Sequence, residues 1–568
     1  MTSHTPTPPE PLLVEARVLV PDGASLRHAH DALACADGRI VALGTPEECA
    51  RALPDEARRI VARDAYVLPG FIDAHVHLLA AAAAAAGVDC SPQAVSSIPK
   101  LLDVIACAAS DRQPGAWVRA HGYEETMLAE RRHPTRAELD AAAPHHPVRL
   151  THRSGHAEVL NSRALALAGI DESVAEPPGA AFGRSLDDGR LDGLLLGMAE
   201  RIEAAMPPPD SVVVAAAVRA WARAQLAEGV TTLVDAGPRN GLPEWETLVA
   251  LAADGTLPQR LVVMEGADHL GEMPQHAAGG RVLRGEVKVQ PRVLEGDAVG
   301  VDDLAAVVRR SAEAGRRVAV HAPTVESVRA ALDAFRAAGD PRGQRVEHAP
   351  LLPRDLVEAI AEAGVAVVAQ PGLLTEVTPR YEQLLSPTER ARLHPWRDVL
   401  DAGVPLAFSS DAPVSRSGPL AASAAASTSR PATLAPEQAL RPLEALAAWT
   451  SGGAVVGGLA DRGRLEVGRV ADLVVAEGPL EADPASCRVV VTVAGGEVLY
   501  ATRDEDRRYL KRRPTTMYER WAWDAANPYR APRPSPQRPP DAVVAHDHGR
   551  GERTEIHEHA GGHLEHEH

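Results

Sequence analysis

From residue 69 to about 450 the chain alternates short apolar, β-branched runs with longer segments rich in Ala, Leu, Arg and Glu. The apolar runs predict buried strands and the longer segments predict helices. Candidate strands fall at 71–78, 230–235, 260–264, 286–290, 317–321, 344–348, 365–370 and 405–411. Eight such strand–helix units predict an α/β fold, a (β/α)8 TIM barrel, whose chemistry lies at the C-terminal ends of its strands. The stretch between the first two strands is too long for one crossover helix. Residues from about 80 to 212 are therefore expected to form an insertion on the catalytic face, with strands of its own near 117–120 and 148–151.

A different texture flanks this body. Short β-type runs at 14–20, 40–43 and 65–68 are separated by Asp22-Gly23 and Asp37-Gly38, and similar runs return at 472–476 and 487–493 before Gly495-Gly496. These are strand and hairpin signals. The two ends of the chain are expected to pair into a small flanking β-sandwich domain, residues 12–68 contributing one part and 451–500 the other, around a barrel at 69–450. Residues 501–529 gather Tyr509, Tyr518, Trp521, Trp523 and Tyr529 among basic residues and read as a packing arm. Residues 530–568 turn Pro-rich, then His-, Glu- and Gly-rich, a disordered composition.

Composition narrows the class. A net charge of −18 argues against nucleic acid or an anionic membrane as the main partner. No apolar run approaches a membrane span, and the start of the chain lacks the basic and apolar regions of a signal peptide. Five cysteines without C-x-x-C spacing suit reduced thiols in a cytoplasm rather than a disulfide frame or a thiolate zinc site. A cytoplasmic enzyme with a small-molecule substrate is the expectation, with a homodimer as the default assembly.

The candidate chemistry begins at Pro69-Gly70-Phe71-Ile72-Asp73-Ala74-His75-Val76-His77. On a strand, residues two apart share a face, so His75 and His77 project side by side, as paired metal ligands must. His321, His348 and Asp411 each end a later candidate strand, where a barrel presents its functional face. Singly, each could be a helix cap or an unrelated strand end; jointly they converge. Lys288 stands mid-strand in a chain with only two other lysines, Lys100 and Lys511. It is either a lysine that merely packs or an amine kept for its reactivity. Arginine could not replace it in the second case, since a guanidinium stays protonated and cannot form a carbamate.

The set resembles the amidohydrolase superfamily, and within it the YtcJ-like branch that includes N-substituted formamide deformylases. The resemblance covers roughly residues 12–500. It rests on the His75/His77 segment, Gly229-Val230-Thr231-Thr232, Lys288, His321, Glu347-His348, Ser410-Asp411-Ala412-Pro413-Val414 and Gly468-Arg469-Val470-Ala471-Asp472. His156 with Asn161-Ser162-Arg163-Ala164-Leu165 resembles that branch's insertion. The resemblance implies two divalent ions, usually Zn2+, with His75, His77 and Asp411 on one, His321 and His348 on the other, and carbamylated Lys288 between them. It further implies hydrolysis of an amide-like C–N bond, such as that of an N-substituted formamide, by a metal-bound hydroxide, with Asp411 moving the proton.

Two departures bear on substrate identity. Val289-Gln290-Pro291 follows Lys288 where relatives often have Asp-Gly-Ser, and Gly193 or Gly197 stands where many have glutamate. His156 and Gln370 are candidate substrate contacts, each with a structural alternative; His121 and Tyr123 read as structural. The His-rich tail reads as solvated or as a metal store. Two other functions remain open at this point: a mononuclear cyclic-amidine deaminase, and a non-catalytic metal-binding scaffold.

Overall fold

The computed structural model describes residues 8–177, 179–208, 210–291 and 301–502. From residue 503 onward, the expected aromatic arm and His-rich tail lie outside the described residues. All eight anticipated barrel strands are present: Phe71–Val76, Val230–Asp235, Arg260–Gly266, Val282–Val289, Val318–Ala322, Arg345–His348, Ala366–Ala369 and Leu406–Phe408. They pair in parallel in that order. At the C-terminal rim the ring is drawn closed by Asp411 N–H donating to His75 O at 2.8 Å and His77 N–H donating to Ala412 O at 2.9 Å. This is a (β/α)8 barrel.

The strands are buried on both faces, which is why they read as continuous apolar runs rather than as alternating ones. The surrounding helices carry a single apolar stripe. In Val325–Ala338, Val328, Ala331, Leu332 and Phe335 fall on one face and are buried, while Thr324 and Ser327 close a capping box at its start. Each such Leu or Phe contributes roughly 1.5–3 kcal/mol by leaving water. Gly364, in the left-handed region at φ 65°, ends the next helix, Arg354–Ala363.

The flanking β domain is assembled from both ends of the chain. Its seven strands run in the order Glu497–Ala501, Arg488–Ala494, Leu473–Glu477, Arg58–Pro69, Leu12–Asp22, Ser25–Ala36 and Arg39–Gly44. The join between the ends is the antiparallel pairing of Arg58–Pro69 with Leu473–Glu477. Strand Ser25–Ala36 is absent from the sequence expectation because its first half carries the polar Arg27, His28, His30 and Asp31, of which Arg27, His28 and Asp31 are exposed and His30 half-buried. Pro69 ends one sheet and Phe71 starts the barrel, with Gly70 alone between them. A Cβ on Gly70 would clash with the Thr231 side chain, so the second barrel strand leaves no room for a side chain at this crossing.

The insertion is a small α/β layer. Its six strands run Ala181–Arg184, Leu191–Leu196, Ala157–Leu160, Val148–His152, Val118–Tyr123 and Val88–Asp89, around Ile98, Leu101, Ile105, Leu139 and Leu150. Helices Leu78–Ala85 and Ser211–Ala227, on either side of it in sequence, pack on each other and belong to the barrel wall. Among the described residues, no helix is long and apolar enough to cross a membrane.

Candidate metal centre

Six of the sequence candidates meet at the C-terminal mouth of the barrel. His75 is fully buried on the first strand, and His77 lies just beyond its end with its side chain 29% exposed. His75 Nε2 and His77 Nε2 stand 3.4 Å and 3.2 Å from the same oxygen, Asp411 Oδ1. That oxygen is buried, with these two imidazole nitrogens beside it. Lys288 Nζ reaches His75 Nε2 at 3.2 Å. His348 Nε2 is 2.9 Å from His321 Nδ1, and His348 Nδ1 is 3.8 Å from Asp411 Oδ2.

The tautomers follow from the partners. His75 Nδ1–H donates to Glu347 Oε2 at 2.5 Å, so the lone pair of Nε2 faces Lys288 and Asp411. Gln370 Nε2 donates to Ser409 Oγ at 3.0 Å, which turns its Oε1 to accept from His348 Nδ1 at 2.9 Å. His348 therefore presents the lone pair of Nε2 toward His321. A carboxylate or carbonyl behind each imidazole is the usual support of a metal-ligating histidine. Gln370, 1% exposed, commits both ends of its amide to this support.

Electrostatics suit a cation. Burial, followed by the Lys288 charge, pushes His75 down to about 3. Burial holds His321 well below its ordinary value and lowers His348 too. These imidazoles are neutral at pH 7. Burial opposes ionisation of Asp411, yet the neighbouring imidazoles and the His77 hydrogen bond outweigh it and keep the carboxyl ionised. Burial pulls Lys288 down to about 8, so its uncharged amine is far more available near neutrality than that of an ordinary lysine. Neutral imidazoles and an ionised carboxylate aimed at one space form an N/O donor set of the type that binds zinc. The residues fit the group the resemblance implies.

Several supporting residues carried no role in the sequence reading. Glu347 also accepts from Arg345 Nε at 2.5 Å, and Arg345 donates to Ala74 O at 2.8 Å. Asp73 accepts from Ser410 N at 3.0 Å and Ser410 Oγ at 2.5 Å, and burial chiefly raises it to about 6. Asp235 Oδ2 accepts from Leu78 N at 2.8 Å and so fixes the chain just after His77. Neighbours on a strand face opposite ways, which hid Glu347. It shares the site with His348 because the chain leaves the strand there, with φ 73° at His348 and 42° at Ala349.

His156 comes from the insertion. Its ring centre lies 6.0 Å from that of His321, and its side chain is open to solvent at the mouth. His121 and Tyr123 lie away from the centre; Tyr123 is buried and its OH bonds His133 Nδ1 at 2.8 Å. A second group of metal-capable side chains, Glu124, Glu125 and His152, lies within the insertion. Burial opposes a charge on His152, but Glu124 and Glu125 outweigh it and raise the ring above its ordinary value, which favours a proton on Nε2, 2.8 Å from Glu125 Oε2. A protonated nitrogen has no lone pair for a metal. With Arg380 on Glu124 Oε1 at 2.6 Å, the group is a polar lock between the insertion and helix Thr378–Leu384.

Comparison with known proteins agrees with this geometry. Residues 60–500 match the model of the amidohydrolase family. An N-substituted formamide deformylase of Arthrobacter pascens is 30% identical over 501 residues, covering 79% of this chain and 90% of the relative. The amidohydrolase YtcJ of Bacillus subtilis (strain 168) is 26% identical over 489 residues, covering 78% and 91%. Among solved structures, a metal-dependent hydrolase from Pyrococcus furiosus shares the fold with a TM-score of 0.64 at 22% identity, over 84% of this chain and 99% of that one. Eight parallel strands, imidazoles and a carboxylate at their C-terminal ends, and a family match spanning both agree: the chain belongs to the amidohydrolase family, in its YtcJ-like branch, and is a hydrolase acting on carbon–nitrogen bonds.

Proposed function

We propose that the protein hydrolyses the C–N bond of a small N-substituted amide, with an N-substituted formamide as the first substrate to test. Two divalent cations, Zn2+ by donor chemistry, would be held by His75, His77 and Asp411 on one side and His321 and His348 on the other. Lys288, as a carbamate, would lie between them. The carbamate forms when the neutral amine attacks CO2: an N–C bond is made, one C–O π bond becomes the carboxylate, and a proton leaves. The observation that carries this reading is Lys288 itself, 2% exposed, with Nζ 3.2 Å from the His75 lone pair and its charge weakened by burial. A mononuclear deaminase or an inert scaffold has no use for such an amine.

When bound, the cations would polarise the carbonyl and acidify water. The side chains do the rest. Asp411, ionised at the mouth, accepts the proton of the attacking water and returns it to the departing nitrogen. His156, exposed above His321, contacts substrate from the insertion. Gln370 reaches substrate only through His348, whose ring it holds. The relative from Arthrobacter pascens supports a formamide as substrate.

The test uses the full-length protein loaded with Zn2+ and 13C-bicarbonate, beside Lys288→Ala. The His-rich tail is common to both and cancels in the difference. The expected result is one fewer tightly bound ion per chain in the variant, loss of a carbamate 13C resonance, and loss of formate release from N-substituted formamides. Equal metal content and no carbamate signal in the parent would refute the bridge.

A further inference from the structure

We propose that Arg153 of the insertion and Glu376 of the barrel form a positioning pair that sets Asp411 for proton transfer. The inference rests on the reading of Asp411 as the acid–base group. Arg153 and Glu376 are nearly buried, their side chains 9% and 10% exposed, and Arg153 NH2 meets Glu376 Oε2 at 2.5 Å. The guanidinium also grips the backbone of the loop after the eighth barrel strand: Nε and NH2 donate to Val414 O at 3.0 and 2.6 Å. The other oxygen of Glu376 gathers the same loop, accepting from Ser415 Oγ at 2.8 Å, Arg416 N at 3.0 Å, Ser417 N at 2.9 Å and Ser417 Oγ at 2.7 Å.

That loop begins at Asp411, whose backbone is left-handed at φ 54°, a conformation that costs an L-residue energy and persists only where the surroundings impose it. Val414 N–H donates to Asp411 O at 2.8 Å, so the residue Arg153 holds by its carbonyl holds Asp411 by its amide. Upstream, Asp411 N–H donates to His75 O at 2.8 Å. The backbone of Asp411 is thus clamped on both sides, and the downstream clamp is closed by a residue from the insertion. Three positions of the candidate site hang within a few residues of this junction: His156 follows Arg153 by three, Gln370 precedes Glu376 by six, and Asp411 precedes Val414 by three. The insertion therefore does more than cover the mouth; it fixes the angle of the acid–base group to whatever substrate His156 meets.

The experiment compares full-length Arg153→Met, Arg153→Lys and Asp89→Asn, each loaded with Co2+ for spectroscopy and Zn2+ for kinetics. Asp89 pairs with Arg416 on the exposed rim and is the control for mere docking of the insertion. Shifting a reacting group by about 1 Å costs on the order of 10²-fold. Arg153→Met is expected to lose about that in kcat with KM nearly unchanged and to alter the visible Co2+ spectrum, both read at a temperature where the variant is fully folded, since the stranded Glu376 carboxylate lowers its melting point. Arg153→Lys is expected to recover part of kcat, since an ammonium can reach Val414 O and Glu376 without the fork. Asp89→Asn is expected to match the parent. An unchanged kcat and spectrum in Arg153→Met would overturn the proposal, as would a loss that follows melting temperature or is reproduced by Asp89→Asn. Were the parent to hydrolyse no amide, the proposed function would fail while the Co2+ spectra still decided the role of Arg153. Were no Co2+ to bind, a crystal structure of Arg153→Met with Asp411 unmoved would reject it.

Discussion

Glu347→Gln is the most informative single change at the metal centre. Glu347 is fully buried, with Oε2 on His75 Nδ1 and Oε1 on Arg345 Nε, both at 2.5 Å. Glutamine preserves the shape but offers one oxygen and one amino group to two donors, so one contact becomes donor against donor. Two costs follow. Arg345, 1% exposed, keeps Ala74 O at 2.8 Å and Glu286 only at 3.8 Å, and a buried cation stripped of its partner costs roughly 3–5 kcal/mol. His75 also loses the group that fixes its tautomer, worth about 10–100-fold in metal affinity, or about 1.4–2.7 kcal/mol. The first cost is read by denaturant unfolding of the metal-free protein, the second by chelator competition for the tightest Zn2+. Burial opposes the charge on Glu347, but Arg345 and His75 outweigh it and hold its carboxyl well below the ordinary range. Its contribution is therefore present above the unfolded carboxyl value and lost only as pH falls through the lower folded one. The penalty should be the same at pH 6 and pH 8. A variant that unfolds within about 0.5 kcal/mol of the parent, with Zn2+ affinity unchanged, would refute the reasoning.

Other outcomes follow from the same contacts. At fixed dissolved CO2, the rate of carbamate formation on Lys288 should climb as pH approaches about 8 and level off above it, because the neutral amine saturates; a rate that keeps rising tenfold per unit to pH 10 would mark an ordinary lysine. Asp411→Asn should cost about 10²–10⁴-fold in kcat, measured per metal-loaded site, because the amide cannot carry the proton. Asn161 is buried and its side chain accepts from Val148 N and Ala164 N and donates to His146 O, all within 3.0 Å. Asn161→Ala should destabilise by about 2–4 kcal/mol, adding a lost helix cap to stranded buried groups. Limited proteolysis of that variant should cut first within residues 86–210.

Much of this molecule was legible before any coordinates. The eight barrel strands were readable because strands buried on both faces leave unbroken apolar runs, and His75, His77, Lys288, His321, His348 and Asp411 were readable because they interrupt or end those runs. Periodicity works wherever one face, or both, must leave water. It fails where a strand does not: Ser25–Ala36 was lost in its polar half, and the short strands Ala157–Leu160, Ala181–Arg184 and Leu191–Leu196 carry too little pattern. What sequence could not carry was the partnering of charges far apart along the chain. Glu347 meets His75 across 272 positions, Ser410 meets Asp73 across 337, and Arg153 meets Val414 across 261. No local propensity encodes such pairs. They exist because closing the barrel brings the first strand beside the eighth and lowers the insertion onto the loops between them, and there a buried charge is tolerated only against its partner.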